Sequence, residues 1–330
     1  MTKLILLFKR QFRTIFKGRL AYFIYKFLYK FINKSEKTSE RYYKAKYEYH
    51  FLCGDLIKAI SSRVKQMIFY EQSSNIYNKQ GAQNYLDVIR EDNLIEILEI
   101  SDSRKAYLKN RPKMNNLVGD SEANNINVLF LGPAFSPSSK ISFSKYDYVV
   151  LNKPPINNGL KIPTKKIIII LNNQWSTGVF SDKTMRWIKN NDFSRIFTPN
   201  NLGLNNKNII EFNNDFNYCS ASPMGLQRAL FLILKNIKPK KIDIHGYDFQ
   251  LSDNPYNSWY PSGLTFFYKD YYSGWLDSNM QHDFLFNFMF VKKIKQQYKQ
   301  KITGSITPYL DMNIKEVIKL FEKKYIFKKF

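Results

Sequence analysis

Five short apolar or β-branched runs constrain this chain more than anything else in it: "NVLFLG" (127–132), "YDYVVLN" (146–152), "KKIIIIL" (165–171), "RIFTPN" (195–200) and "KKIDIHG" (240–246). Each is shorter than an ordinary helix; "KKIDIHG" alternates like a strand and stops at a glycine, while stretches such as "NVLFL" and "IIIIL" are continuously apolar. That is the pattern of strands covered on both faces, as in a parallel sheet. Between and beyond them, "SDKTMRWIKNN", "SPMGLQRALFLILKNI" and "HDFLFNFMFVKKIKQQY" read as helices, and "KITGS" (301–305) as a further strand. Residues 125–310 are therefore expected to form one α/β, Rossmann-like domain, with a mostly parallel sheet and helices on both faces.

Residues 35–124 precede it as a helical region and linker. "RYYKAKYEYHFLCGDLIKAISSRVKQMIFYEQ" carries one or two helices and "NYLDVIREDNLIEILEI" another, while "LKNRPKMNNLVGDSEANN" contains the breakers Pro112 and Gly119. No chemistry is read there, and His50 is expected to be a packed residue. Residues 1–34 hold nine Lys or Arg and no acid, with Phe12, Ile15, Phe16, Leu20, Phe23, Phe27 and Phe31 at helical spacing. Their apolar runs fall far below the ~18 residues a span needs, and no small-residue cleavage site follows. The expectation is a basic amphipathic helix on an anionic membrane surface. The alternative is a helix docked on the protein's own core. Residues 311–330, with "IKEVIKLFEKKYIFKKF", repeat the basic amphipathic style more weakly as a carboxyl-terminal helix that could share that surface.

A formal charge of +24 calls for an anionic partner: nucleic acid, membrane or phosphorylated substrate. Cys53 and Cys219 are too few and too isolated for a disulfide framework, which fits a reducing compartment. Basic charge with 23 Tyr and 27 Phe would also suit single-stranded nucleic acid. The clustering of charge at the amino terminus and the absence of a recognisable RNA-binding signature argue against that class.

The candidate site lies where the strands end. The first ends in Gly132-Pro133-Ala134, the second in Asn152, the third in Asn172-Asn173 and the last in Gly246-Tyr247-Asp248. The long helix after Tyr218 opens "SASPMG", where Ser220 or Ser222 can cap it. Amides grip base, ribose and phosphate without charge, and a helix amino terminus attracts phosphate. Together these residues point to a nucleotide. No G-x-G-x-x-G, G-x-x-x-x-G-K-[ST], G-x-S-x-G or D-x-D occurs, and the three histidines and two cysteines show no zinc spacing. What remains is a nucleotide held without metal, with His282 as the well-placed titratable group.

In order, these residues resemble the bacterial sialyltransferases of glycosyltransferase family 42. The family's G-N-G-P-S turn corresponds to Leu131-Gly132-Pro133-Ala134, its second-strand asparagine to Asn152, and its N-P-S to Asn172-Asn173-Gln174. Its S-G-[IV]-D-F-Y corresponds to His245-Gly246-Tyr247-Asp248-Phe249-Gln250. A tyrosine eight residues past the aspartate is Tyr256, and the catalytic histidine ahead of an apolar helix is His282. Two positions depart from the pattern, Leu131 and Gln250. The lipopolysaccharide-core Kdo transferases that use CMP-Kdo are also similar, through "YCS" at Tyr218-Cys219-Ser220 and the S-G-[LI]-D strand end. The resemblance covers about 180 residues.

It implies a modified GT-A fold and an inverting, metal-independent transfer of sialic acid or a related ulosonic acid. The donor would be CMP-linked, and the acceptor a glycan or glycolipid of lipooligosaccharide, lipopolysaccharide or capsule. His282 would be the general base, Tyr256 would donate to the departing phosphate, and Asp248 would orient ribose, acceptor or backbone. Gly132, Pro133, Asn152, Asn172, Asn173, Ser220, Ser222, Gly246 and Tyr247 would hold the donor. No cofactor and no nucleic-acid partner are expected. The place expected for such an enzyme is the cytoplasmic face of the inner membrane, with a homo-oligomer open.

Overall fold

The computed structural model describes residues 40–327 apart from Cys53, Ser73, 91–93, 112–122, 157–160, Val179, 213–224, Gln250, 252–281 and 299–300. The basic segment 1–34, Ser220, Ser222, Gln250 and Tyr256 therefore lie outside the described residues.

Seven strands form one all-parallel sheet: β1 (Asn124–Leu131), β2 (Tyr148–Leu151), β3 (Ile167–Ile170), β4 (Arg195–Thr198), β5 (Ile209–Glu211), β6 (Pro239–His245) and β7 (Ile302–Thr303), in the order β5-β4-β3-β2-β1-β6-β7. The expected strands are all present. β5, three residues at one edge, has no counterpart among the expected strands.

The continuous apolar runs have the physical cause inferred from the sequence. Val128, Phe130, Val150, Ile168, Ile170, Ile242 and Ile244 point into one core, while Leu129, Leu131, Val149, Leu151, Ile167 and Ile169 point into another on the opposite face. The second core is closed by α6 (Asn173–Ser176), which supplies Trp175, and by α7 (Ser181–Asn190), which supplies Trp187. β6 interrupts its apolar run with Asp243, which is only 6 % exposed. The Tyr146 hydroxyl donates to its Oδ2 at 2.7 Å, Lys241 Nζ lies 2.9 Å from the same oxygen, and Thr303 Oγ1 donates to Oδ1. A carboxylate in mid-sheet is thus fully engaged, and it ties β7 to its neighbour.

The first core is covered by α8 (Gly225–Asn236) and α9 (Phe284–Gln297), and by the amino-terminal helices α1 (Glu40–Leu52), α2 (Leu56–Glu71) and α3 (Ile76–Ile89). Tyr47, Ile60, Met67 and Leu86 share one continuous cluster with Phe286, Phe290 and the sheet. Two short helices, α4 (Leu94–Ile97) and α5 (Asp102–Asn110), lead towards the sheet. Side chains start these helices as their residue types dictate: Asp55 accepts from Lys58 N at 3.0 Å for α2, and Asn75 from Asn78 N at 3.1 Å for α3. His50 is half-buried, edge-on to Tyr49 at 5.2 Å, and burial lowers its pKa.

After α10 (Thr307–Asp311) comes the last helix, α11 (Ile314–Phe327). Ile314, Val317, Ile318 and Phe321 are buried, and the Phe321 ring packs on Phe51 at 5.3 Å and Phe284 at 4.7 Å. These four apolar residues of the helix are thus covered by the protein's own core. Among the described residues no helix is long and apolar enough to cross one.

Candidate functional site

Strand order reverses between β1 and β6: the chain runs from β1 outwards through β5, then returns to β1's other side. Open α/β sheets leave a crevice at such a reversal, outside the carboxyl ends of the strands. The two strands meeting there end in Gly132-Pro133 and Gly246-Tyr247-Asp248. Their turns interlock, with Gly132 N donating to His245 O at 2.7 Å and Ala134 N to Gly246 O at 3.0 Å. Gly246 has φ +70°, and a Cβ there would lie 2.2 Å from Phe135 N; one on Gly132 would lie 2.3 Å from Gly246 O. Only residues without a side chain let these two backbones pass so closely.

From the end of β2, Asn152 reaches over β1 to this crossing. Its Nδ2 donates to the Tyr247 hydroxyl at 2.6 Å, while its Oδ1 is buried and has no hydrogen-bond partner among the described residues. The side chain is 9 % exposed and lies against the first residue of α8, where a Cβ on Gly225 would come within 2.4 Å of Nδ2. Gly225, the first described residue of α8, is thus brought to the crossing.

Two cations accompany it. Burial lowers Lys153, the residue after Asn152, to about 8, and its Nζ stands 5.4 Å from the centre of the Trp175 ring. Burial also lowers the pKa of Arg228, one turn along α8 on the face of Gly225. Neither was singled out in the sequence, because nothing local distinguishes them among 51 basic residues.

The same helix leads to His282. Gln227, 1 % exposed, donates from Nε2 to Asn287 O at 3.0 Å. Asn287 Nδ2 in turn donates to the carbonyls of His282 and, at 3.2 Å, of Asp283. His282 is half-buried just ahead of α9, and Asp283 is that helix's N-cap, accepting from Phe286 N at 3.2 Å. The turn after β6 touches the same helix, with the Phe249 ring 5.1 Å from Phe288, edge to face.

The other expected residues divide. Asp248 is buried, and its charge adds to burial in raising the pKa of Tyr309. His245 is half-buried and its pKa is lowered by burial. Asn172 and Asn173 sit at the end of β3, two strands from β1, and are engaged locally. Asn172 Oδ1 caps α6 by accepting from Trp175 N at 3.2 Å, and Asn173 Oδ1 accepts from Asn200 Nδ2 at 3.2 Å. Asn200, at the end of β4, also donates to Ser176 Oγ at 2.9 Å, extending the row of strand-end amides by one. A polar cavity of about 490 Å³, lined by Asn190, Asn191, Asn206 and Asn208, lies at the opposite, amino ends of β4 and β5. Among the described residues no three His, Cys, Asp or Glu side chains gather to hold a metal.

No family model, curated protein or solved structure matches the chain.

Proposed function

We propose that this α/β protein is a metal-independent, inverting glycosyltransferase. It moves sialic acid or a related ulosonic acid from a CMP-linked donor to a cell-surface glycan, with CMP-Kdo as the alternative donor. The observation that carries this reading is the buried amide of Asn152. Its oxygen, without a partner among the described residues, lies at the interlocked glycine turns beside Gly225 of α8 and next in sequence to the buried Lys153. An uncharged hydrogen-bonding group for a nucleoside, next to the cations of Lys153 and Arg228 for a phosphate or carboxylate, suits a CMP-linked acid.

In the proposed reaction the acceptor hydroxyl oxygen bonds to the anomeric carbon while the bond from that carbon to the phosphate oxygen breaks. CMP leaves with the electron pair, and His282 takes the hydroxyl proton. Attack opposite the leaving group inverts the centre. An imidazole near its reference pKa of ~6.5 suits a base at neutral pH. Tyr256 donates to the departing phosphate, the part otherwise given to a divalent cation, and the absence of D-x-D in the sequence agrees with that. Asp248, buried beneath the β6 turn, holds that turn rather than taking a proton. Residues 1–34 are proposed to bring the enzyme to an anionic membrane. Their removal should release it from anionic vesicles without unfolding it.

The test is thermal unfolding with CMP, CDP, UDP and GDP, in EDTA and in magnesium. CMP at a hundred times its Kd should stabilise by about 2.7 kcal/mol in both buffers. Preference for another nucleotide, or a strict need for magnesium, would refute the assignment.

A further inference from the structure

The sequence offers no chemistry in the amino-terminal helices, yet they bury charge. Arg63 of α2 is 3 % exposed, and Asp283, the residue after His282, is fully buried. Arg63 Nε lies 3.4 Å from Asp283 Oδ2, and the Tyr85 hydroxyl of α3 donates to that oxygen at 2.7 Å. Each partner is itself held. The Arg63 guanidinium sits over the Tyr47 ring at 3.7 Å and donates to Gln66 Oε1 at 2.7 Å, while the Tyr85 ring stacks on Phe286 at 4.9 Å. Burial, and then the Asp283 charge, push both phenols well up, so they remain hydroxyl donors at any ordinary pH.

Apolar helices can pack without this arrangement, and a buried ion pair is seldom the most stabilising choice for a core. What it does supply is direction. Asp283 adopts φ 51°, a left-handed conformation unfavourable for a side chain with a Cβ, while its other oxygen caps α9. Anchoring that carboxylate from two helices determines where the chain turns into α9, and the residue entering the turn is His282. Its carbonyl is fastened from the other side by Asn287.

We propose that Arg63 and Tyr85 are positioning residues for His282, acting from the amino-terminal helices through the buried carboxylate of Asp283. This rests on the reading of His282 as the base. It gives residues 40–89 a part in the site: they set the imidazole's place while the sheet sets the donor's. Misplacing a reacting group by 1 Å can cost ~10²-fold in rate.

The experiment uses the full chain with Tyr85→Phe, Arg63→Lys, His282→Ala and, as control, Arg111→Met. The Arg111 side chain is largely buried in the same helical region and paired with Glu71 and Asp87, and among the described residues no hydrogen bond or ion pair joins it to Asp283. Two rates are measured. One is CMP release from CMP-N-acetylneuraminic acid and CMP-Kdo, with water as acceptor. The other is carbethoxylation of each of the three histidines by diethyl pyrocarbonate, mapped by mass. In Tyr85→Phe and Arg63→Lys, CMP release should fall about 10- to 10²-fold with CMP affinity unchanged. His282 labelling should change severalfold, with His50 and His245 as in wild type. Arg111→Met should melt earlier yet keep wild-type labelling of His282.

Wild-type labelling of His282 and wild-type CMP release in folded Tyr85→Phe would overturn the proposal, as would an equal effect of Arg111→Met. Should Arg63→Lys fail to fold, Tyr85→Phe decides, since it removes one hydroxyl and keeps the stacked ring. If His282→Ala releases CMP as fast as wild type, or no CMP is released at all, the catalytic reading fails. The labelling rates then judge the positioning by themselves.

Discussion

Replacing Gly246 with alanine tests the interlocked turns directly, and the structure supplies its own control. Gly246 and Gly203 have nearly the same backbone, φ +70° and φ +67°, but very different surroundings. A Cβ on Gly203 meets nothing within 4 Å, whereas one on Gly246 falls 2.2 Å from Phe135 N and 2.5 Å from Phe135 Cα. Those are backbone atoms in a turn hydrogen-bonded to the opposite strand end, so they cannot swing aside as a side chain would. Gly203→Ala should therefore cost only the left-handed penalty, ~1–2 kcal/mol. Gly246→Ala adds the overpacking term, ~1–3 kcal/mol, for a total of ~2–5 kcal/mol. At roughly 2–4 °C per kcal/mol for domains of 150–250 residues, and at the lower end for a longer chain, the two alanine variants should differ by about 2–6 °C in Tm. Scanning calorimetry measures this. CMP titration of the same proteins reads whether Tyr247 is dragged away from Asn152, weakening binding in Gly246→Ala only. Equal Tm losses for the two variants would show that the turns do not pack as closely as described, and the site built on them would fall with that packing.

Two further predictions concern pH. Lys153 sits at about 8 in the folded protein against ~10.4 when unfolded, so between those values the unfolded chain binds more protons and folding gains as pH rises. The stability gap between Lys153→Met and wild type, read from denaturation at pH 7, 8, 9 and 10, should be constant below 8 and shrink above it. A gap that widens has the wrong sign. Burial pushes the Asp243 carboxyl up, but the hydrogen bonds from Thr303, Tyr146 and Lys241 together hold it below its usual value. Its contribution is therefore complete above ~3.9 and lost as pH falls through the lower folded value. Asp243→Asn should cost ~1–3 kcal/mol at pH 7 and progressively less in acid. An undiminished gap at pH 2 would refute the network.

The sheet was legible in the sequence because double-sided burial leaves a local trace: four consecutive isoleucines at 167–170 permit little else. Gly132 and Gly246 were legible because a strand that stops at glycine signals a turn that other residues resist. β5 left no such trace, being three edge residues of which none is buried. Asn172 and Asn173 were read as ligand groups from residue type, but type alone does not separate a grip on a nucleotide from a helix cap, which is what Asn172 forms. Arg63 and Tyr85 were illegible for a different reason. Their meaning lies in Asp283, about two hundred positions away, and one sequence carries no record of so distant a pairing. In residues 311–330 the apolar spacing announced that a face would be covered without saying by what, and Ile314, Val317, Ile318 and Phe321 are covered by the core.

The long reach between Tyr85 and Asp283, 198 residues apart, has a consequence for how the protein is made. At ~5–20 residues per second, a ribosome delivers α1 to α3 roughly 10–40 s before α9 emerges to cover them. During that interval Tyr47, Ile60, Met67 and Leu86 have no α9 against which to pack, and the strands arrive only one by one. The nascent chain must carry an apolar helical cluster, with the Arg63 guanidinium still unmatched, past the synthesis of all but the last strand. Closure of the amino-terminal third is thus a late event in biosynthesis, and this chain spends its vulnerable period with its first-made part waiting for its last.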